Sequence, residues 1–272
     1  MMDNPQFNKS AHRYCLLGAV AGDIIGSRFE YCAHKSTEFE LFTHSNKFTD
    51  DTVLTLAVAD SILRQRDYGE IILEYGRRFP HADYGGSFRQ WLASSNPRPY
   101  GSFGNGSAMR VSPIAWAFNT IEDVLKQAEL SALPTHNHPE GVKGAQAVAL
   151  AIYLARNGRS KKDIQDEISE RFAYSLENKY EQIQPGYKFD ETCQATVPAA
   201  LIAFFDSHNF LDAIRKAVAL GGDADTLAAI TGSIAEAYYG GAPEDIIVEV
   251  HKVLPQELWQ VISRFSVSFP NS

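Results

Sequence analysis

The stretch Leu227–Tyr239, LAAITGSIAEAYY, consists largely of small and apolar residues and stops at Gly240-Gly241. Its length and its glycine stop predict a helix. Side chains this small let neighbouring backbones approach closely, which suits a body built from many helices. Similar punctuation recurs along the chain. Thr52–Arg64 is apolar at Val53, Leu54, Leu56, Ala57, Val58, Ile62 and Leu63. Val142–Arg156 is rich in Ala and Leu and ends at Asn157-Gly158, a favourable C-terminal cap. Ser160 with Asp163 reads as a capping box, Asp replacing the usual Glu, ahead of a helix to Phe172. Asn209 precedes Phe210, Leu211, Ile214, Ala217, Val218 and Leu220, a run closed by Gly221-Gly222. Two last helices, Ala242–Val253 and Gln256–Phe265, are divided by Pro255.

Strand-like alternation is almost absent, and breakers cluster at Phe79–Phe88, Ser94–Gly106 and Gln184–Tyr187. At roughly 150 residues per domain, 272 residues permit one large domain as easily as two small ones. No internal repeat divides the chain, so the expectation is one all-α domain over residues 1–272. A 44% hydrophobic content with 16 Phe and 12 Tyr suffices for a sizeable core. No apolar run approaches the ~18 residues that span a bilayer. With 25 basic against 33 acidic residues the net charge is -8, which argues against a general nucleic-acid or membrane binder. Cys15, Cys32 and Cys193 are odd in number and form no CxxC pair, so neither a disulfide scaffold nor a cysteine zinc site is indicated. Met1–Arg13 is polar and lacks the order of a secretion signal, so a reduced, cytoplasmic protein is expected.

Three acidic clusters lie at turns beside helices: Gly22–Glu30 with Asp23 and Glu30, Phe48–Thr52 with Asp50 and Asp51, and Gly221–Thr226 with Asp223 and Asp225. A Thr or Asp at a helix start serves as an N-cap, worth ~1 kcal/mol. Capping accounts for one carboxylate per turn and not for adjacent ones, which repel and raise one another's pKa. A hard divalent cation removes the difficulty. Thr49, Asp50, Asp51, Asp223, Asp225 and Thr226 offer oxygen ligands only, favouring Mg, Ca or Mn over zinc. An EF-hand is excluded, because its twelfth position falls on Ser61 or Ile234 where Glu is needed.

Gly101-Ser102-Phe103-Gly104-Asn105-Gly106 has the composition of a loop whose backbone N–H groups reach phosphate oxygens. It lacks the Lys-Ser/Thr of a P-loop and does not fit the dinucleotide GxGxxG pattern, so triphosphate cleavage and dinucleotide redox chemistry lose support. His136 and His138 flank Asn137, and no HExxH occurs.

Gly18–Asp23 with Gly26 and Glu30, Phe48–Thr52, Ser102–Arg110, Thr135-His136 with Pro139, Gly141 and Gly144-Ala145, and Gly221–Thr226 stand in the order of one family. The chain resembles the ADP-ribosylglycohydrolases, which include the dinitrogenase reductase-activating glycohydrolases. That resemblance implies a compact all-helical bundle with two Mg or Mn ions at the base of a cleft. Thr49, Asp50 and Asp51 would ligate from one side, and Asp223, Asp225 and Thr226 from the other, with Glu30 beside the metals. Gly101, Ser102, Phe103, Gly104, Asn105 and Gly106 would wrap the diphosphate and ribose, with His136 on the nucleotide side. The implied reaction is hydrolysis of the bond from C1″ of ADP-ribose to a side-chain atom, commonly of arginine, through an oxocarbenium-like state. Asp50, Asp51 or Glu30 would take the proton of the attacking water, with Asp83 as a further candidate. The substrate would be an ADP-ribosylated protein or a small ADP-ribose conjugate. A Mg-dependent phosphoester hydrolase and a non-catalytic, crystallin-like or ADP-ribose-binding protein are the alternatives.

Overall fold

A computed structural model describes residues 14–270, and no β-strand occurs among them beyond an isolated bridge of Gly104 with Thr192. The stretch Met1–Arg13 considered above lies outside the described residues. The helices are α1 (Leu17–Gly26), α2 (Asp50–Arg64), α3 (Tyr68–Arg78), α4 (Gly86–Ala93), α5 (Gly106–Met109), α6 (Ser112–Ala117), α7 (Ile121–Ala132) and α8 (Pro139–Arg156). They continue as α9 (Lys161–Phe172), α10 (Tyr180–Ile183), α11 (Cys193–Phe205), α12 (Phe210–Ala219), α13 (Ala224–Tyr239), α14 (Glu244–Val253) and α15 (Gln256–Ser268). The all-α expectation holds. No helix among the described residues is long and apolar enough to cross a membrane.

Several predicted ends shift for local reasons. Helix α2 begins at Asp50 rather than Thr52, because Thr49 is extended and its side chain accepts from Asp51 N. Helix α13 begins at Ala224 rather than Leu227, which places Asp225 in its first turn. A helix N-terminus favours such carboxylates through its unpaired N–H groups and its dipole. The connection read over Phe79–Phe88 ends early, at the start of α4, and α14 starts only after Pro243. The capping box at Ser160 and Asp163 forms as read, and so does the Asn209 cap of α12.

Helix α1 organises the molecule. All ten of its residues are buried, and α13 is buried from Ala224 to Ala237. The two helices run antiparallel with their backbones in contact. A Cβ added at Gly18 would stand 2.2 Å from Gly232 O, one at Gly22 2.1 Å from Ala228 O, and one at Gly26 2.5 Å from Ala224 O. The partner positions step back four residues each time, so one helical turn matches one helical turn. The C-terminal end of α1, leading to Glu30, is thereby fixed beside the N-terminal end of α13, carrying Asp225. Helices α8, α11 and α12 pack around α13, while α2 lies against α1 and α15.

Gly22→Ala should therefore lower the unfolding free energy by about 3 kcal/mol, the upper range for overpacking a tight core. Gly186, where an added Cβ meets nothing within 4 Å, should tolerate Ala within about 0.5 kcal/mol. Urea denaturation of the two variants checks both values, and equal stabilities would contradict the backbone contact.

Candidate active site

Asp23, fully buried on α1, is where the site begins. Its carboxylate accepts from Thr49 N at 2.9 Å, Thr49 Oγ1 at 2.8 Å, Thr52 N at 3.0 Å and the Thr52 hydroxyl. Those donors pin the start of α2 to α1. Burial pushes the Asp23 pKa up to about 6, against the pull of its four donors. The turn thus held points Asp50 and Asp51 into a cleft of about 420 Å³.

From the opposite side the start of α13 contributes Asp223, Asp225 and Thr226. Asp223 is the N-cap by position, but its side chain makes no cap bond and instead accepts from Asn105 Nδ2 at 2.7 Å. Thr226 Oγ1 donates to Asp51 Oδ2 at 3.1 Å, so the two acid-bearing turns, 175 residues apart, touch. Glu30, just past a short 3-10 turn (Ser27–Phe29), completes the group. One oxygen each of Glu30, Asp223 and Asp225 lies within 4.8 Å of the others. Asp51 Oδ1 is buried with no partner.

Burial raises the pKa of Glu30, Asp50, Asp51, Asp223 and Asp225, and repulsion among neighbouring carboxylates adds to the shift at Glu30, Asp50, Asp51 and Asp225. No Lys or Arg among the described residues forms an ion pair with any of the five. Lys47 is close by, but it pairs with Asp83 at the rim. A set of buried and half-buried carboxylates with a free oxygen and no ion-pair partner is the donor set a hard divalent cation takes.

The glycine-rich loop forms another wall and only partly matches its reading. Ser102, Gly104, Asn105, Gly106 and His136 line the cleft. Gly101 and Phe103 do not: Gly101, at φ 69°, donates its N–H to Asn137 Oδ1, and Phe103 is 46% exposed beside the His138 ring. Thr49 also lies outside the cleft lining, its hydroxyl held by Asp23. Composition suggested free backbone donors. Yet the N–H groups of Gly101, Ser102, Gly104 and Asn105 are bound to Asn137, Thr135, Ser102 Oγ and Glu191. These bonds seat the loop between the α7–α8 connection and the segment before α11.

Sequence reasoning passed over Tyr31, Tyr84, Arg110 and Glu191, all of which line the cleft. Tyr31 adjoins Glu30 and stacks on Phe189, centroids 6.0 Å apart. Arg110 closes the Ser102–Arg110 motif and is fully buried. Only its place in the motif signalled it.

The family model for ADP-ribosylglycohydrolase matches residues 5–270. The chain is 28% identical to human ADP-ribosylhydrolase ARH3, covering 85% of this chain and 86% of that protein. It is 27% identical to the ADP-ribosylarginine hydrolase Tri1 of Pseudomonas putida (strain GB-1), covering 86% and 72% respectively. A solved structure described as an ADP-ribosylglycohydrolase-related protein complex superposes with a TM-score of 0.72 at 25% identity, covering 93% of this chain and 95% of that one.

The raised carboxylate pKa values carry a sign for stability. A folded pKa above the unfolded ~4 means that folding takes up protons, so the contribution is present below pH ~4 and is lost as pH rises through the folded values. With Asp23 near 6 and Glu236 near 8, the melting temperature in chelator should fall between pH 5 and pH 8. Millimolar Mg or Mn should restore it at pH 8 by binding the folded state. Calorimetry across that range checks this, and a flat, metal-insensitive profile would refute it.

Proposed function

The chain belongs to the ADP-ribosylglycohydrolase family and is an ADP-ribosyl glycohydrolase, and from that premise we propose that it removes ADP-ribose from arginine side chains at a centre of two Mg or Mn ions. The contact of Thr226 with Asp51, together with the close group of Glu30, Asp223 and Asp225, carries this reading. Asp50, Asp51, Asp223, Asp225, Thr226 and Glu30 would hold the ions. Thr49 would join them only by turning its hydroxyl from Asp23. When bound, the ions supply positive charge that neutralises these carboxylates and grips the ribose hydroxyls.

The chain's own residues do the rest. Glu30, half-buried and with a raised pKa, would take a proton from the attacking water as the C1″–N bond breaks and pass it to the departing guanidine, and Asp50 or Asp51 shares that capacity. Ser102, Gly104, Asn105, Gly106 and His136 would hold the nucleotide side. Gly101 and Phe103 act in this reading only by shaping the loop. Arginine is favoured because Glu191 at the cleft suits a guanidinium, and because Tri1 is named for that substrate. ADP-ribosylated proteins and small ADP-ribose conjugates are then the partners of one catalytic domain over residues 1–272. Three unpaired cysteines accord with a cytoplasmic setting.

Asp225→Ala should reduce metal-dependent release of free ADP-ribose from ADP-ribosyl-arginine by at least about a hundred-fold. Circular dichroism should stay helical. Wild-type-like turnover in that variant, or release of AMP or phosphate in place of ADP-ribose, would overturn the proposal.

A further inference from the structure

Behind the nucleotide wall of the cleft lies a chain of polar groups with no part in the acidic centre. Arg110 Nη2 donates to Ser131 O at 2.9 Å and to Thr135 Oγ1 at 2.9 Å. Thr135 Oγ1 lies 2.7 Å from His136 Nδ1. Arg110 and Thr135 are fully buried, and His136 is 5% exposed.

Counting hydrogens orients the chain. A guanidinium only donates, so Thr135 Oγ1 accepts from Arg110. The single hydroxyl hydrogen must then find an acceptor, and His136 Nδ1 is the remaining polar neighbour among the described residues. A hydrogen on Nδ1 would leave the Thr135 hydroxyl hydrogen buried and unpaired, a cost of about 1–3 kcal/mol. Nδ1 therefore accepts, and the neutral ring carries its hydrogen on Nε2. Burial, with Arg110 behind it, holds the His136 pKa well below the ordinary value. The Nε2 edge faces the glycine-rich loop: a Cβ at Gly106 would come within 3.2 Å of both Cε1 and Nε2. Glycine at that position keeps the approach to the ring open.

We propose that Arg110 and Thr135 are positioning residues that fix His136 as an Nε2–H donor, directed from the cleft wall at a hydrogen-bond acceptor on the nucleotide half of the substrate. This inference rests on the proposed placement of the nucleotide beside His136. It adds that the histidine offers a donor there and not an acceptor, so a ligand group that can only donate, such as an N–H, is disfavoured at this point.

The test uses protein labelled with ¹⁵N-histidine, together with calorimetric binding of ADP-ribose alone. The ¹⁵N–¹H spectrum of the wild type should show His136 with Nε2 protonated and Nδ1 unprotonated. Thr135→Val, which keeps the shape and removes the hydroxyl, should disturb that tautomer and weaken ADP-ribose binding about tenfold, the value of one hydrogen bond. It should leave kcat within about twofold. Thr135→Ser should restore both tautomer and affinity. An Nδ1-protonated ring in the wild type overturns the relay, and so does Thr135→Val with unchanged tautomer and affinity. Absence of any ADP-ribose release by the wild type would instead defeat the functional reading, and the spectrum would still decide the relay.

Discussion

Contact between the backbones of α1 and α13 is the constraint on which the site depends. Glycines at positions 18, 22 and 26 meet carbonyls at 232, 228 and 224, so the antiparallel pair has one register and no slack. Moving either helix out by the width of a methyl group would separate Glu30 from Asp223 and Asp225. The same helix carries Asp23, which holds the turn of Asp50 and Asp51. Three segments distant in sequence are thereby referred to a single rigid element, which is how a site keeps its geometry without relying on loops.

That geometry concentrates charge of one sign where water is scarce, at a cost in stability. In the proposed reading the divalent ions repay it. Across the cleft the chemistry reverses: Arg110 is buried without a carboxylate partner, and its Nε and Nη1 have none at all. One wall is therefore acidic, and the other has a cation behind a neutral histidine. A substrate with an anionic nucleotide at one end and a cationic guanidinium at the other would meet complementary charge at both.

Much of this was legible from residue order. The helix starts at Ser160 and Asn209 and the stop at Gly240 follow from capping rules, and adjacent carboxylates mark the two aspartate turns as candidate cation ligands; that the turns face each other was implied only by the family resemblance. The rest depended on partners distant in sequence. Nothing local distinguishes Gly22, which touches a backbone, from Gly186, which touches nothing. The loop 101–106 has the composition of a phosphate cradle, but the N–H groups of Gly101, Ser102 and Asn105 bind other parts of the chain and that of Gly104 binds Ser102 Oγ. Gly101 and Phe103 face away from the cleft, and Thr49 has its hydroxyl on Asp23, because those orientations are set by Asn137, His138 and α1.

The carboxylates themselves show how structure separates support from chemistry. Asp23 and Asp51 are both buried acids beside the cleft-forming turn. Asp23 receives four donors, so its oxygens are occupied and it can only anchor. Asp51 receives one donor on Oδ2 and none on Oδ1, so it retains the capacity to bind something else. Glu236 tests the distinction. It closes the other end of the α1–α13 pair, accepting from Leu17 N at 3.1 Å where Leu16, at φ 77°, provides no side-chain cap. Its Oε2 is also unpartnered, yet it faces no cleft, and burial lifts its pKa to about 8. Burial favours the protonated form of Glu236, which lies outside the cleft lining. At Asp51, in the proposed reading, the cleft would admit a cation, and what separates the two acids is access together with an unfilled oxygen.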